Sequence, residues 1–243
     1  MIIVNADDWG RSLRETDAAL ACHREGRITS VSAMVFMKDS ERAADLAREN
    51  RVTAGLHLNL NQPYEVKVSS SEATNAHNRI VRFMARTKYA VLVYHPFLRR
   101  HFRAVYQAQQ EEFVRLFGQP PTHIDGHQHR HLCANMLIDE IIPVGQRVRR
   151  NCTFWPGEKS SLNRAYRRLV DRRLGRKYRL TDYLFNLAQH LGGGQLARIF
   201  DLAKTATVEL ETHPCKEAEY ACLMSDDYAA KLGTVETARR SVK

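Results

Sequence analysis

Four segments of the chain concentrate side chains that can hold a metal ion or move a proton. The first, "IIVNADDWG" at residues 2–10, runs from an apolar strand-like stretch into Asn5 and two adjacent carboxylates, Asp7 and Asp8. "GLHLNL" carries His57, "HIDGHQHRH" carries Asp125, His127, His129 and His131 after His123, and "VELETHP" carries Glu211 and His213. The chain has 11 histidines, and six of them lie in the last three segments. Adjacent like charges repel, and a carboxylate withdrawn from water is costly unless it is partnered. Asp-Asp near Asn and Gly also makes an ordinary solvated turn, and a lone His57 fits a satisfied core position. The four histidines within nine residues of the third segment are harder to explain that way. Spaced by two through its second half, they place several imidazoles on one face of an extended chain. Histidine is the commonest metal-ligating side chain.

One carboxylate and two imidazoles from separate segments would leave positions for water and substrate, as catalytic rather than structural metal sites do. A metal acidifies water and polarises a carbonyl. It also gives the double Asp a purpose: one carboxylate can bind the ion while its neighbour, pointing the other way, takes a proton from the attacking water. His213 on the opposite side could then protonate a leaving amine. The chemistry suggested is metal-assisted hydrolysis of an amide or ester.

Groups so far apart in the chain can meet only if a framework brings their segments together. "MIIV", "ITSVSAMVF", "TAGLHLNL", "THID" and "TATVEL" read as strands. They alternate with helical patterns at 12–24, 39–49, 99–117 (closed by Gly118, Pro120 and Pro121), 133–142, 160–174, 182–204 with a break at Gly192–Gly194, and 225–232. The polar run "SSSEATNAHN" reads as an exposed loop. Strand–helix alternation implies a parallel sheet, and 243 residues suit a single α/β domain, an irregular TIM-barrel-like (β/α) barrel over 1–243. In such barrels chemistry gathers at the C-terminal ends of strands, where all four segments fall.

Composition narrows the classes. No apolar run approaches the roughly 18 residues of a membrane helix. The five cysteines are odd in number and form no C-x-x-C pair. With a first segment that runs straight into a strand rather than a signal h-region, this leads us to expect a reducing, cytoplasmic setting. The net charge of +10 is local: residues 147–179 hold twelve Lys/Arg against Glu158 and Asp171. The helix within that segment has Leu162, Tyr166, Leu169 and Val170 on one side. It lacks an aromatic array for base stacking beyond Tyr166 and Tyr178, so nucleic acid is not expected as a partner.

"IIVNADDWG", "GLHLNL", "THIDGHQHRHL" and "VELETHP" resemble, in order and spacing, the signatures of the YdjC-like carbohydrate deacetylases. That family includes the chitooligosaccharide deacetylases and the hopanoid-associated HpnK proteins. The match runs from residue 2 to about 214, and the "DGHQHRH" wording is closer to the HpnK-like branch. The resemblance implies a TIM-barrel-like fold, a divalent metal and removal of an acetyl group from an N-acetylated amino sugar. Carried over motif by motif, it implies Asp8, His57 and His127 as metal ligands, Asp7 as general base, and His213 as acid or oxyanion stabiliser. Asn5, His129, His131 and Glu211 stand beside these as candidate substrate contacts. Zinc is expected before magnesium because imidazoles dominate the ligand set. The basic segment 147–179 suggests an anionic membrane face, or a lipid-linked or phosphorylated glycan, with a solvated outer helix as the plainer alternative. A homodimer is compatible with the sequence. The competing function is a non-catalytic metal- or glycan-binding protein on the same fold, which would need no second carboxylate.

Overall fold

The structure is a computed structural model, and it describes residues 1–66, 68, 70–192 and 194–237. Its centre is a parallel sheet of β1 (Ile2–Trp9), β2 (Ser30–Ala33), β3 (Ala54–Leu58), β4 (Ile124–Gly126), β5 (Tyr183–Asn186) and β6 (Val208–Thr212). The spatial order is β4-β3-β2-β1-β6-β5. β1, β2, β3 and β6 are buried on both faces, and beside apolar residues such as Ile2, Val4, Val31, Leu56 and Leu210 they carry buried polar ones, Asn5, Ser30, Ser32, Glu209 and Glu211 among them. Around it lie α1 (Leu13–Arg24), α2 (Ser40–Glu49), α3 (Ser71–Ala85), α4 (Arg99–Phe117), α5 (Ala134–Ile138), α6 (Ser161–Leu174), α7 (Gln195–Ala203), α8 (Glu217–Met224) and α9 (Asp226–Leu232).

Of the irregular TIM-barrel-like barrel expected from the sequence, the described residues hold the α/β order and a parallel six-stranded sheet curled into a half-barrel rather than a full barrel. Segment 146–153 crosses the gap between the edge strands. It bridges Ile124 to Val148 and Arg147 to Arg179, and the Thr153 N–H donates to the Leu184 carbonyl at 2.7 Å. These single bridges carry too few ladder hydrogen bonds to extend as strands.

The helix over 99–117 stands as expected, its buried stripe running from Phe102 to Phe117 and its end at Gly118, where φ is +70°. Three other expectations fail. The polar run "SSSEATNAHN" is largely helix: Ser70 caps α3 by accepting from the Ala73 N–H at 3.1 Å, and Ala73, Ala76, His77, Ile80, Phe83 and Met84 are buried. Lys67 and Ser69 lie outside the described residues. The helical pattern at 182–204 splits into β5, a short 3₁₀ turn and α7, with Gly193 outside the described residues. The helix at 133–142 shrinks to the five residues of α5. The end of the chain from 238 lies outside the described residues. No helix among the described residues is long and apolar enough to cross a membrane.

Candidate metal centre

Register decides what meets at the mouth of the sheet. Asn5 lies level with Ser30 on one side and Glu211 on the other, and His57 lies beside Asp125. Successive side chains of a regular strand point to opposite faces, which would separate Asp7 from Asp8. The β1–β2 pairing instead shifts register between Ala6 and Trp9, and Asp8 takes a left-handed backbone with φ +66°. This bulge turns both carboxylates into one site, as bulges beside active sites commonly do.

Asp8 Oδ1 lies 2.8 Å from His127 Nδ1 and 3.3 Å from His57 Nε2. One ligand atom from each of Asp8, His57 and His127 fits within 4.8 Å of the others. The three residues are 3%, 1% and 7% exposed, so their polar atoms must satisfy one another or an ion. Asp8 Oδ2 accepts from Arg11 at 3.2 Å at the rim. Burial opposes ionisation of Asp8, but His127 and His57 hold it well below the usual carboxylate range. Burial likewise opposes protonation of His57, yet Asp125, Asp7 and Asp8 pull its pKa up to about 10.

The orienting groups are equally ordered. His57 Nδ1 lies 2.7 Å from Asp125 Oδ1, the carboxylate–imidazole pairing that fixes ring orientation at metal sites. Ser32 Oγ donates to Asp125 Oδ2 at 2.6 Å and lies 3.0 Å from His123 Nε2. Gly55 admits the His123 ring, since a Cβ there would stand 2.3 Å from it. Arg149 is fully buried. Its guanidinium donates to both oxygens of Asp7 at 2.7 Å and to Glu209 at 2.8 Å, and lies 2.8 Å from Asp125. Asn5 is buried too and donates to Asp7 at 2.9 Å, while its carbonyl accepts from Ser30.

Five carboxylates are thus buried in the site: Asp7, Asp125, Glu209 and, at 3.9 Å, Glu211 around Arg149, and Asp8 against His57, His127 and, at the rim, Arg11. Burying so much negative charge demands compensation, by protons on the imidazoles or by a cation. A donor set of one carboxylate and two imidazoles, with excess negative charge behind it, fits a divalent metal of the zinc class.

The structure does not bear out the extended face of imidazoles after β4. Residues 127–132 form a 3₁₀ turn, with Gln128 and His129 at φ +52° and +56°, so the rings diverge. His127 faces Asp8. His129 faces Glu211 and Cys152. His131, 1% exposed, donates from Nε2 to the Arg149 carbonyl at 2.9 Å. His213 stands at the end of β6 with a side chain 17% exposed, its Nδ1 3.6 Å from Glu219 and its Nε2 4.0 Å from Glu211. Burial lowers its pKa, but Glu219, Asp7 and Glu211 outweigh that and raise it.

Sequence reasoning gave no role to Arg149, Ser32, His123, Glu209 or Cys152. Arg149 was hidden in a basic run that reads as a solvated face, and Asp125, though noted at a strand end, was not assigned as the His57 partner.

The family model for YdjC-like proteins matches residues 1–240. The chain belongs to the YdjC-like family. Among curated relatives, this YdjC-like chain is 33% identical over 147 residues to a chitooligosaccharide deacetylase of Proteus mirabilis, covering 59% of the chain and 53% of the relative. It is 28% identical over 243 residues to a carbohydrate deacetylase of Homo sapiens, covering 88% and 74%. It spans 53% of the Proteus relative and 55% of a carbohydrate deacetylase of Danio rerio, about half of each. A crystal structure titled a putative cellobiose-phosphate cleavage protein, from Enterococcus faecalis, aligns with TM-score 0.67 at 18% identity. It covers 98% of this chain and 97% of that one, and shares the fold.

Proposed function

We propose that this YdjC-like protein is a metal-dependent hydrolase that removes the acetyl group from an N-acetylated amino sugar. The observation that carries the reading is the meeting of Asp8, His57 and His127, from three strand ends, beside Asp7. The deacetylase names of the relatives support the reaction class. A divalent ion held by Asp8, His57 and His127, with zinc preferred, would supply a Lewis acid and acidify water.

The chain's own groups do the rest. Asp7, held by Arg149 and Asn5, takes a proton from the attacking water through the lone pair of Oδ2 that Arg149 leaves free. His213, steadied by Glu219, protonates the amine as the amide C–N bond breaks, or donates to the oxyanion. Acetate and the free amino sugar leave. Asn5 donates to Asp7 and His131 to the Arg149 carbonyl, so both position groups of the site, while His129 is the more exposed of the remaining two and Glu211 is buried beside it. A binder without catalysis would leave Asp7 with no proton to accept.

The finer substrate class rests on α6. Its outward face carries Leu162, Tyr166 and Leu169, 80%, 47% and 66% exposed, beside exposed Arg168, Arg172 and Arg173. Exposed apolar residues at i, i+4 and i+7 with flanking arginines suit an anionic lipid surface, and so a lipid-linked glycan met at a cytoplasmic membrane face.

The test is acetate release from N-acetylated monosaccharides, chitooligosaccharides and lipid-linked sugars, with and without chelator. Release that chelation abolishes is expected. No release from any substrate, or release indifferent to chelator, overturns the reading. Binding to anionic vesicles that fades with salt and in a Leu162→Ser/Arg168→Gln/Arg172→Gln/Arg173→Gln variant is expected for the lipid surface; no vesicle binding refutes that part alone.

A further inference from the structure

A second group of ligating side chains stands beside the first and shares no residue with it. His129, from the turn after β4, Cys152, from the segment crossing the gap in the sheet, and Glu211, from β6, each place one donor atom within 4.8 Å of the others. His129 Nε2 lies 3.2 Å from Glu211 Oε2 and 3.5 Å from Cys152 Sγ. Cys152 and Glu211 are buried, and the His129 imidazole is 32% exposed, which leaves a way in.

Three arrangements could bring such groups together. In a nucleophilic relay the thiol and the carboxylate would use opposite ring nitrogens, one activated by the base and the other orienting it. Here both face the same nitrogen, Nε2, while Nδ1 is buried without a hydrogen-bond partner. In a plain hydrogen-bonded cluster, one nitrogen cannot serve both. If the thiol donates to Nε2, Glu211 Oε2 faces a lone pair. If Nε2 carries the proton, it satisfies only one acceptor well. Glu211 Oε2 is buried with no hydrogen-bond partner; His129 Nε2 at 3.2 Å and Arg149 at 3.9 Å face it as ion-pair partners only. The third arrangement satisfies the three facing atoms at once: a cation at the centre takes one lone pair from each of His129 Nε2, Cys152 Sγ and Glu211 Oε2.

The geometry points to a second metal site, formed by His129, Cys152 and Glu211, that takes a thiophilic divalent ion of the zinc class. Thiolate, imidazole and carboxylate together suit zinc or cobalt and not magnesium, which prefers oxygen. The Asn186 side chain donates to Glu211 Oε1 at 2.9 Å and orients the carboxylate as an outer-shell partner. His129 holds its left-handed φ of +56°, a conformation that costs energy in a non-glycine residue and collects at ligand clamps. Binding transfers the Cys152 thiol proton to solvent as the metal–sulfur bond forms, with no change in oxidation state. The ion cross-links three segments distant in sequence. Through the short link from His129 to His127, it steadies a ligand of the first site. Three protein ligands leave one position open.

The test is cobalt(II) titration of the metal-free full-length protein, read by absorption and by metal content. A cobalt ion at Asp8, His57 and His127 has no sulfur ligand, so a thiolate-to-cobalt charge-transfer band reports the second site alone. Two ions per chain with that band are expected in the wild type. Cys152→Ser should lose the band and one ion. His57→Ala should keep the band and lose the other ion, so failure of either site is distinguishable. A folding defect in the variants is bypassed in the wild type by peptide-resolved alkylation, where zinc should slow labelling of Cys152 and leave Cys215 and Cys222 unchanged. A wild type with no charge-transfer band, a band that survives Cys152→Ser, or Cys152 labelling indifferent to zinc would overturn the site.

Discussion

Replacing Arg149 with methionine tests the electrostatic frame of the site. The side chain is fully buried and makes ion pairs with Asp7, Asp125 and Glu209 at 2.7–2.8 Å. Methionine fills much of the volume but leaves those carboxylates without their cation. Breaking one buried pair by removing a single partner costs about 3–5 kcal/mol. For a chain of this size each kcal/mol moves Tm by about 2–4 °C, so a fall of about 6–20 °C is expected. The loss has a pH signature. Burial opposes ionisation of Asp125, but Arg149 and His57 hold its pKa well below the ordinary value. That stabilisation is present above the unfolded carboxylate pKa, near 4, and is lost as pH falls. The gap between wild type and variant should therefore hold from pH 7 down to about pH 4 and narrow only below it, as pH falls toward the depressed native pKa. Differential scanning calorimetry across that range, with exposed Arg172→Gln as control, measures both effects. The control should move stability by less than about 0.5 kcal/mol. An Arg149→Met protein that melts within 2 °C or so of wild type at pH 7, like the control, would refute the buried-cation account.

Asp7→Asn should keep the first metal and lose about 10²- to 10⁴-fold in acetate release, whereas Asp8→Asn should weaken metal binding first; metal analysis beside kcat separates them, and the reverse pattern exchanges their roles. Gly55→Ala drives a methyl to 2.3 Å from the buried His123 ring, so urea unfolding should show a loss of about 1–3 kcal/mol, and a change under 0.5 kcal/mol would show that His123 can yield. His77 is buried, its ring stacked on Tyr64 at 3.7 Å and its Nε2 2.7 Å from the Gln62 carbonyl. Burial pushes its pKa down from 6.5 to about 4 against that hydrogen bond. Between those values the unfolded chain binds a proton that the native one does not. The stability it lends is therefore present above pH 6.5 and lost toward pH 4, by up to about 3 kcal/mol. Comparison of wild type with His77→Gln by urea unfolding at pH 7.5 and 4.5 isolates this, and an equal difference at both would contradict it.

The sequence by itself determined the parallel α/β core and most of its strands, because doubly buried strands show as apolar runs separated by amphipathic helices. It also placed the chemistry. In a parallel sheet the C-terminal strand ends share one edge, so acids and imidazoles closing "IIVNADD", "GLH" and "HIDGH" had to face one mouth, whatever the intervening loops did. That is why an acid of the first segment and imidazoles of the next two could be expected to meet, whereas the choice of Asp8, His57 and His127 among them came from the resemblance to the YdjC-like deacetylases. Tertiary structure alone decided the rest. Whether six strands close is set at the edges, where Val148 and Arg179 make single bridges that no local pattern encodes. The polar run from Ser71 folds as helix because Ile80, Phe83 and Met84 have a surface to cover, which outweighs the weak helix preference of Ser, Thr and Asn. "YLFN" could be strand or helix by periodicity, and its pairing with β6 chose strand. The bulge at Asp8 and the turn at His129 depend on left-handed residues whose types do not demand that conformation. Arg149 is the clearest case: one arginine among twelve basic residues, alike in composition, differs only in being carried inward beside Asp7 and Asp125. Burial turns a solvated charge into the counter-ion of the site, and burial is a property of the folded chain.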